Sequence, residues 1–217
     1  MAVAAVLAVG SVVAFILAPP GEATPAARDW GRALEWRPGI SLAQPWRWWT
    51  AAWLHWSGPH LAGNLLGDAI VALLGWRARA PVAAALAWLC AWPLTQALFD
   101  VADPAWLGPQ LREYGGLSGV LHAGVVIAGL GLIAARAPSD GALTPAQVRR
   151  HRAIGAALVA GTLIKVLLEA PWNPSLRPNA LLGIEVAPIA HAFGFAAGTM
   201  AFAASEIVLR ALQRRRG

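Results

Sequence analysis

Ala190-His191-Ala192-Phe193-Gly194-Phe195-Ala196-Ala197-Gly198 decides how this chain is read. One ionisable group stands among apolar and small neighbours, with glycines three and seven positions after it. Positions i, i+3 and i+7 share one face of an α-helix, so the imidazole lies on the stripe where a second helix can approach closely. A histidine inside an apolar helix costs free energy unless it finds a partner, and so it marks either a functional site or a bond between helices.

The apolar run around it extends from about Val186 to Leu209. At ~1.5 Å per residue that is long enough to cross a hydrocarbon core of ~30 Å. Similar runs stand at about Met1 to Ala18, Ser57 to Trp76, Pro81 to Phe99, Leu117 to Ala135 and Ala153 to Ala170. The 217 residues are 58% hydrophobic and 13% charged, about half the charge of an ordinary soluble domain. That excludes a soluble globule, and the same apolar content excludes a disordered chain. The expectation is an all-α polytopic membrane protein of six spans. It forms one domain over 1–217, with its core at about 40–209, a first transmembrane helix at 1–18 and an external loop at 19–56. A cleaved signal peptide at 1–18 is the weaker reading, because no Lys or Arg precedes the apolar run.

Counting Lys and Arg in alternate connections orients the chain. With the amino terminus inside, Arg77, Arg79, Arg136, Arg149, Arg150, Arg152, Arg210, Arg214, Arg215 and Arg216 are cytoplasmic. Arg28, Arg32, Arg37, Arg47, Arg112 and Arg177 face out, and Lys165 lies within a span. The net charge of +6 is therefore topological, and no nucleic-acid partner is expected. Membrane lipid is the expected surrounding. The lone Cys90 offers neither a disulfide framework nor a Cys-rich zinc pattern. The Trp-rich stretch Trp46, Trp48, Trp49, Trp53 and Trp56 is expected to anchor at the membrane interface.

Few polar residues lie inside the spans. Ser118, in Tyr114-Gly115-Gly116-Leu117-Ser118-Gly119, opens the fourth with its hydroxyl beside the unpaired N–H groups of a helix start. His122 follows one turn later on the same face. His60 and Asn64, one turn apart at the start of the second span, can point two donors at a common acceptor. Asp68 continues that stripe, and its expected role is a buried hydrogen bond. His55 is expected at the interface, His151 in solvent, and Lys165 with Glu169 as a structural i, i+4 pair. A serine attacks a carbonyl when a base takes its proton, and imidazole suits that role near neutral pH. No carboxylate is obviously placed to orient the histidine, so the expectation is a Ser118–His191 dyad.

Trp46-Arg47, His60-x-x-x-Asn64, Gly116-Leu117-Ser118-Gly119 and His191-x-x-Gly194-x-x-x-Gly198, in that order over about residues 40 to 200, resemble the rhomboid family of intramembrane serine proteases. Within it the chain is most similar to the rhombosortase branch, on His122 and the Lys165 to Glu169 stretch. It departs from that branch in having Ala123 before Gly124 where a glycine often follows the histidine. The resemblance implies a six-helix bundle in a bacterial inner membrane, with both termini cytoplasmic and a site opening to the periplasmic side. It implies Ser118 as nucleophile, His191 as base and then acid, and an oxyanion site from His60, Asn64 and the Ser118 N–H, supported by Gly116 and His122. It implies no metal and no cofactor. The implied substrates are exported proteins whose carboxy-terminal transmembrane tail follows a Gly-Gly motif. A general rhomboid protease acting on single-span proteins, and a non-catalytic rhomboid-like binder of membrane proteins, are the alternatives.

Overall fold

The computed structural model describes residues 1–20, 25–102, 104–134 and 144–215. Arg136 and Arg216, placed above on the cytoplasmic side, lie outside the described residues. Six long helices follow the six apolar runs. They are α1 (Ala2–Leu17), α4 (Gly58–Arg77), α5 (Val82–Val101), α7 (Ser118–Ala134), α8 (Pro145–Leu168) and α9 (Pro188–Arg214). The shorter α2 (Pro25–Leu34), α3 (Arg47–Thr50) and α6 (Pro104–Leu107) lie in the connections. Among the described residues, α5, α8 and α9 are long and apolar enough to cross a membrane. α1 and α7 are apolar but shorter, and α4 carries His60, Asn64, Asp68 and Arg77 along its length.

Two features stand out against the sequence expectation. α8 begins at Pro145, well before the expected Ala153, because Thr144 closes a capping box with Gln147 and so starts the helix in polar sequence. Arg149, Arg150 and Arg152, expected in a connection, are its first two turns. The otherwise helical fold also contains a small antiparallel hairpin, β1 (Arg177–Asn179) with β2 (Ile184–Val186), in the expected polar connection at 171–185.

The helix stripe read from Gly194 and Gly198 is a contact face. A Cβ on Gly194 would collide with the Gly119 carbonyl oxygen, and one on Gly198 would stand 2.7 Å from that of Ala123. α9 and α7 thus meet backbone to backbone, an approach only small residues permit. Ala123 faces Gly198, while Gly124 turns the other way, where its Cβ would lie 2.8 Å from the Trp88 ring of α5. The Trp88 indole N–H donates to the Val120 carbonyl at 2.8 Å, which locks α5 to the same stretch of α7.

A second core lies at the end of the bundle where α9 begins. Trp36, Phe99, Tyr114, Ile189 and Phe193 pack together, and the Asp100 carboxylate accepts from the Trp36 indole at 3.0 Å and the Trp48 indole at 2.6 Å. Arg47 is buried rather than solvated. Its guanidinium donates to the carbonyls of Arg32 and Glu35 at 2.7 and 2.6 Å and to the Gln44 side chain at 2.7 Å, a cation placed where the carbonyls at the end of α2 lack partners. Of the tryptophans expected at the membrane interface, Trp46 and Trp49 are exposed. Trp48 and Trp53 instead pack against the two cores.

Candidate active site

Ser118 is positioned by the chain before it. Trp36 and Tyr114 exchange backbone hydrogen bonds at 2.9 and 3.0 Å, and the Gly116 N–H donates to the Ala51 carbonyl at 2.9 Å. The external loop therefore fixes the path by which Tyr114 to Leu117 reach α7. Gly116 is required on two counts. Its φ of +140° is a conformation that side chains resist, and a Cβ there would lie 3.2 Å from the His60 ring. Ser118 is then the first residue of α7, where its N–H has no acceptor inside the helix.

The close crossing of α7 and α9 brings the Ser118 hydroxyl to 3.1 Å from Nε2 of His191. These residues are 73 apart in sequence. His122, one turn on, donates from Nδ1 to the Ser118 carbonyl at 2.7 Å, and its ring stacks on that of His191 at 4.3 Å and 16°. His122 thus braces both partners.

The imidazole has a third neighbour that the sequence reading missed. Glu169, at the end of α8, places Oε2 2.6 Å from Nδ1 of His191 and Oε1 2.7 Å from Nζ of Lys165. The expected Ser118–His191 pair thus has a carboxylate behind its imidazole, in a serine–histidine–glutamate chain. Lys165 and Glu169 do pair, as the i, i+4 spacing predicts, but only one carboxylate oxygen is used. The sequence signal was the position of Glu169 near the outer end of its span, level with Ser118 and His191.

All these groups line one cavity of about 1000 Å³, which also includes His60, Asn64, Gly63, Gly67 and residues of the β1–β2 hairpin. The Trp56 N–H donates to Nδ1 of His60 at 3.4 Å, so the ring hydrogen sits on Nε2, the atom turned toward Gly116. The Asn64 amide nitrogen is buried without a protein partner, and Asn64 lines the same cavity as the serine, so it is an orphan donor there. Asp68 is buried, with one carboxylate oxygen unpartnered, and lies outside the cavity lining. His55, expected at the interface, is instead buried at 2% exposure. Its ring sits 4.8 Å from that of His60, and Nδ1 donates to the Trp53 carbonyl at 3.0 Å. Burial pulls the His55 imidazole down to about 4. Among the described residues no three His, Cys, Asp or Glu side chains converge to hold a metal ion.

The chemistry available is that of acyl transfer: a hydroxyl on an imidazole, two side-chain donors and a free helix N–H around one space. No family model matches the chain, and no curated protein matches it either.

Proposed function

We propose that this chain is a membrane-embedded serine endopeptidase with a six-span, rhomboid-like architecture in a bacterial inner membrane. It cleaves near a Gly-Gly motif that precedes the carboxy-terminal transmembrane tail of exported proteins. The observation that carries the proteolytic part is the 3.1 Å approach of Ser118 Oγ to His191 Nε2, at the wall of a cavity that also holds the unpaired Asn64 amide. Buried polar groups are ordinarily satisfied, so an orphan donor in the cavity that the serine lines supports an oxyanion site awaiting substrate.

In the reaction, His191 Nε2 takes the hydroxyl proton as Ser118 Oγ bonds to the scissile carbonyl carbon. The oxygen of that carbonyl becomes an anion within reach of His60 Nε2–H, Asn64 Nδ2–H and the Ser118 N–H. Collapse breaks the C–N bond, and His191 returns the proton to the leaving amine. Water, activated by the same imidazole, then releases the acyl group from Ser118. Glycines at the cleavage point weaken a substrate helix, so that its carbonyl can be presented in extended form.

The test is co-expression with an exported protein carrying a Gly-Gly motif and an apolar tail. Ser118→Ala and His191→Ala are expected to abolish tail removal, and mass spectrometry of the new carboxy terminus locates the cut. Tail removal unchanged in both variants overturns the assignment. Replacing Gly-Gly by bulky residues is expected to stop processing, and processing that continues points to a general protease instead.

A further inference from the structure

We propose that Glu169 is a positioning residue that holds His191 in its reactive tautomer against the competing pull of Lys165. The proposal rests on the assignment of Ser118 as nucleophile and His191 as base.

A neutral imidazole carries one ring hydrogen. To accept the Ser118 proton, Nε2 must offer its lone pair, so the hydrogen must sit on Nδ1. The charged and titratable groups facing this ring, among the described residues, are Glu169 and Lys165 from α8 and His122 from α7. His122 has its Nδ1 committed to the Ser118 carbonyl at 2.7 Å and meets His191 face to face at 4.3 Å, so it makes no hydrogen bond to Nδ1. Two groups remain with opposite demands. The Glu169 carboxylate, 2.6 Å from Nδ1, only accepts and therefore requires a hydrogen there. The Lys165 ammonium, 3.4 Å from the same nitrogen, only donates and therefore favours a lone pair there. With the carboxylate present, the shorter contact wins, and Lys165 is occupied by Oε1 at 2.7 Å. With the carboxylate gone, Lys165 is the neighbour left to Nδ1. The ring hydrogen then moves to Nε2, pointing at Ser118 Oγ, and the serine has no base.

This arrangement makes a prediction that a merely structural ion pair does not. Removing Lys165 should partly repair the loss of Glu169. The full-length protein, purified in detergent micelles, is labelled with a fluorophosphonate and the labelling rate is measured. Glu169→Ala is expected to slow labelling by about 10⁴-fold, the scale on which a wrong tautomer slows a serine hydrolase. Glu169→Gln, which keeps the shape but can present an amide N–H to Nδ1, is expected to slow it by at least ~100-fold. Lys165→Met combined with Glu169→Ala should label at least ~10-fold faster than Glu169→Ala. Histidine ¹⁵N NMR reads the tautomer without relying on activity. The expected result is Nδ1–H in the parent and Nε2–H in Glu169→Gln.

Labelling of Glu169→Ala and Glu169→Gln within threefold of the parent overturns the proposal, as does a double variant no faster than Glu169→Ala. An unchanged His191 tautomer in Glu169→Gln overturns it even if Glu169→Ala fails to fold. Ser118→Ala separates the two levels. Label kept there overturns the nucleophile assignment and this proposal together, whereas label lost there but kept in the Glu169 variants overturns this proposal alone.

Discussion

Two side chains outside the reacting pair carry measurable consequences. Each oxygen of Asp100 accepts from a different indole, Trp36 and Trp48, and the Trp36 side chain is fully buried. Asp100→Ala orphans both donors, and hydrogen bonds to a charged group are worth about 1.5–3 kcal/mol each. The expected loss is about 3 kcal/mol, with roughly half restored in Asp100→Asn, read by thermal unfolding in detergent. His55 predicts a pH effect. Its folded pKa of about 4 lies below the usual 6.5, so as pH falls the unfolded chain takes up the proton first. The contribution of His55 is therefore whole above about pH 6.5 and is lost between 6.5 and 4, on the order of 3 kcal/mol at most. Melting temperature plotted against pH should fall less steeply over that window in His55→Asn than in the parent. An identical slope removes His55 from the account of acid sensitivity.

The site exists because two helices touch along glycine, and this is where the sequence was most legible. The i, i+3, i+7 stripe after His191 predicts a close approach, and Gly194 and Gly198 meet the Gly119 and Ala123 backbones of α7. Gly194→Ala should separate the helices, and a displacement near 1 Å at a reacting pair costs about 100-fold. Fluorophosphonate labelling is therefore expected to drop by about that factor. Gly131→Ala and Gly161→Ala, where a Cβ meets nothing within 4 Å, should leave labelling unchanged. Other features were hidden for stated reasons. The start of α8 was missed because hydropathy sees Arg149, Arg150 and Arg152 as a break, while the Thr144 capping box depends on only two residues. Glu169 was passed over because an i, i+4 partner in its own helix already explained it. Only the fold shows that its second oxygen faces His191 across 22 positions of sequence. His55 was given to the interface because burial of a loop depends on what packs over it, which local sequence does not encode.

For the molecule as a whole, the proposed topology sets one side against the other. Ser118 opens α7, His60 lies at the start of α4 and His191 at the start of α9, so the cavity belongs to one end of the bundle, with the β1–β2 hairpin beside it. The other end holds Arg77, Arg79, Arg149, Arg150 and Arg214, and positive charge is retained on the cytoplasmic side. With the six spans proposed above, both termini would lie in the cytoplasm. Cys90, exposed near the middle of α5, faces lipid in this arrangement, which makes it an internal probe. A bilayer-permeant maleimide should label it in intact cells, and a charged impermeant one should not. In a Cys90→Ser background, a cysteine replacing Leu181, which is 87% exposed at the hairpin, should react with the impermeant reagent from outside. One replacing Gln213 should react only after the membrane is opened. The reverse pattern at positions 181 and 213 would invert the molecule and put the cavity on the cytoplasmic side, where an exported substrate's tail could not be presented to Ser118 after translocation.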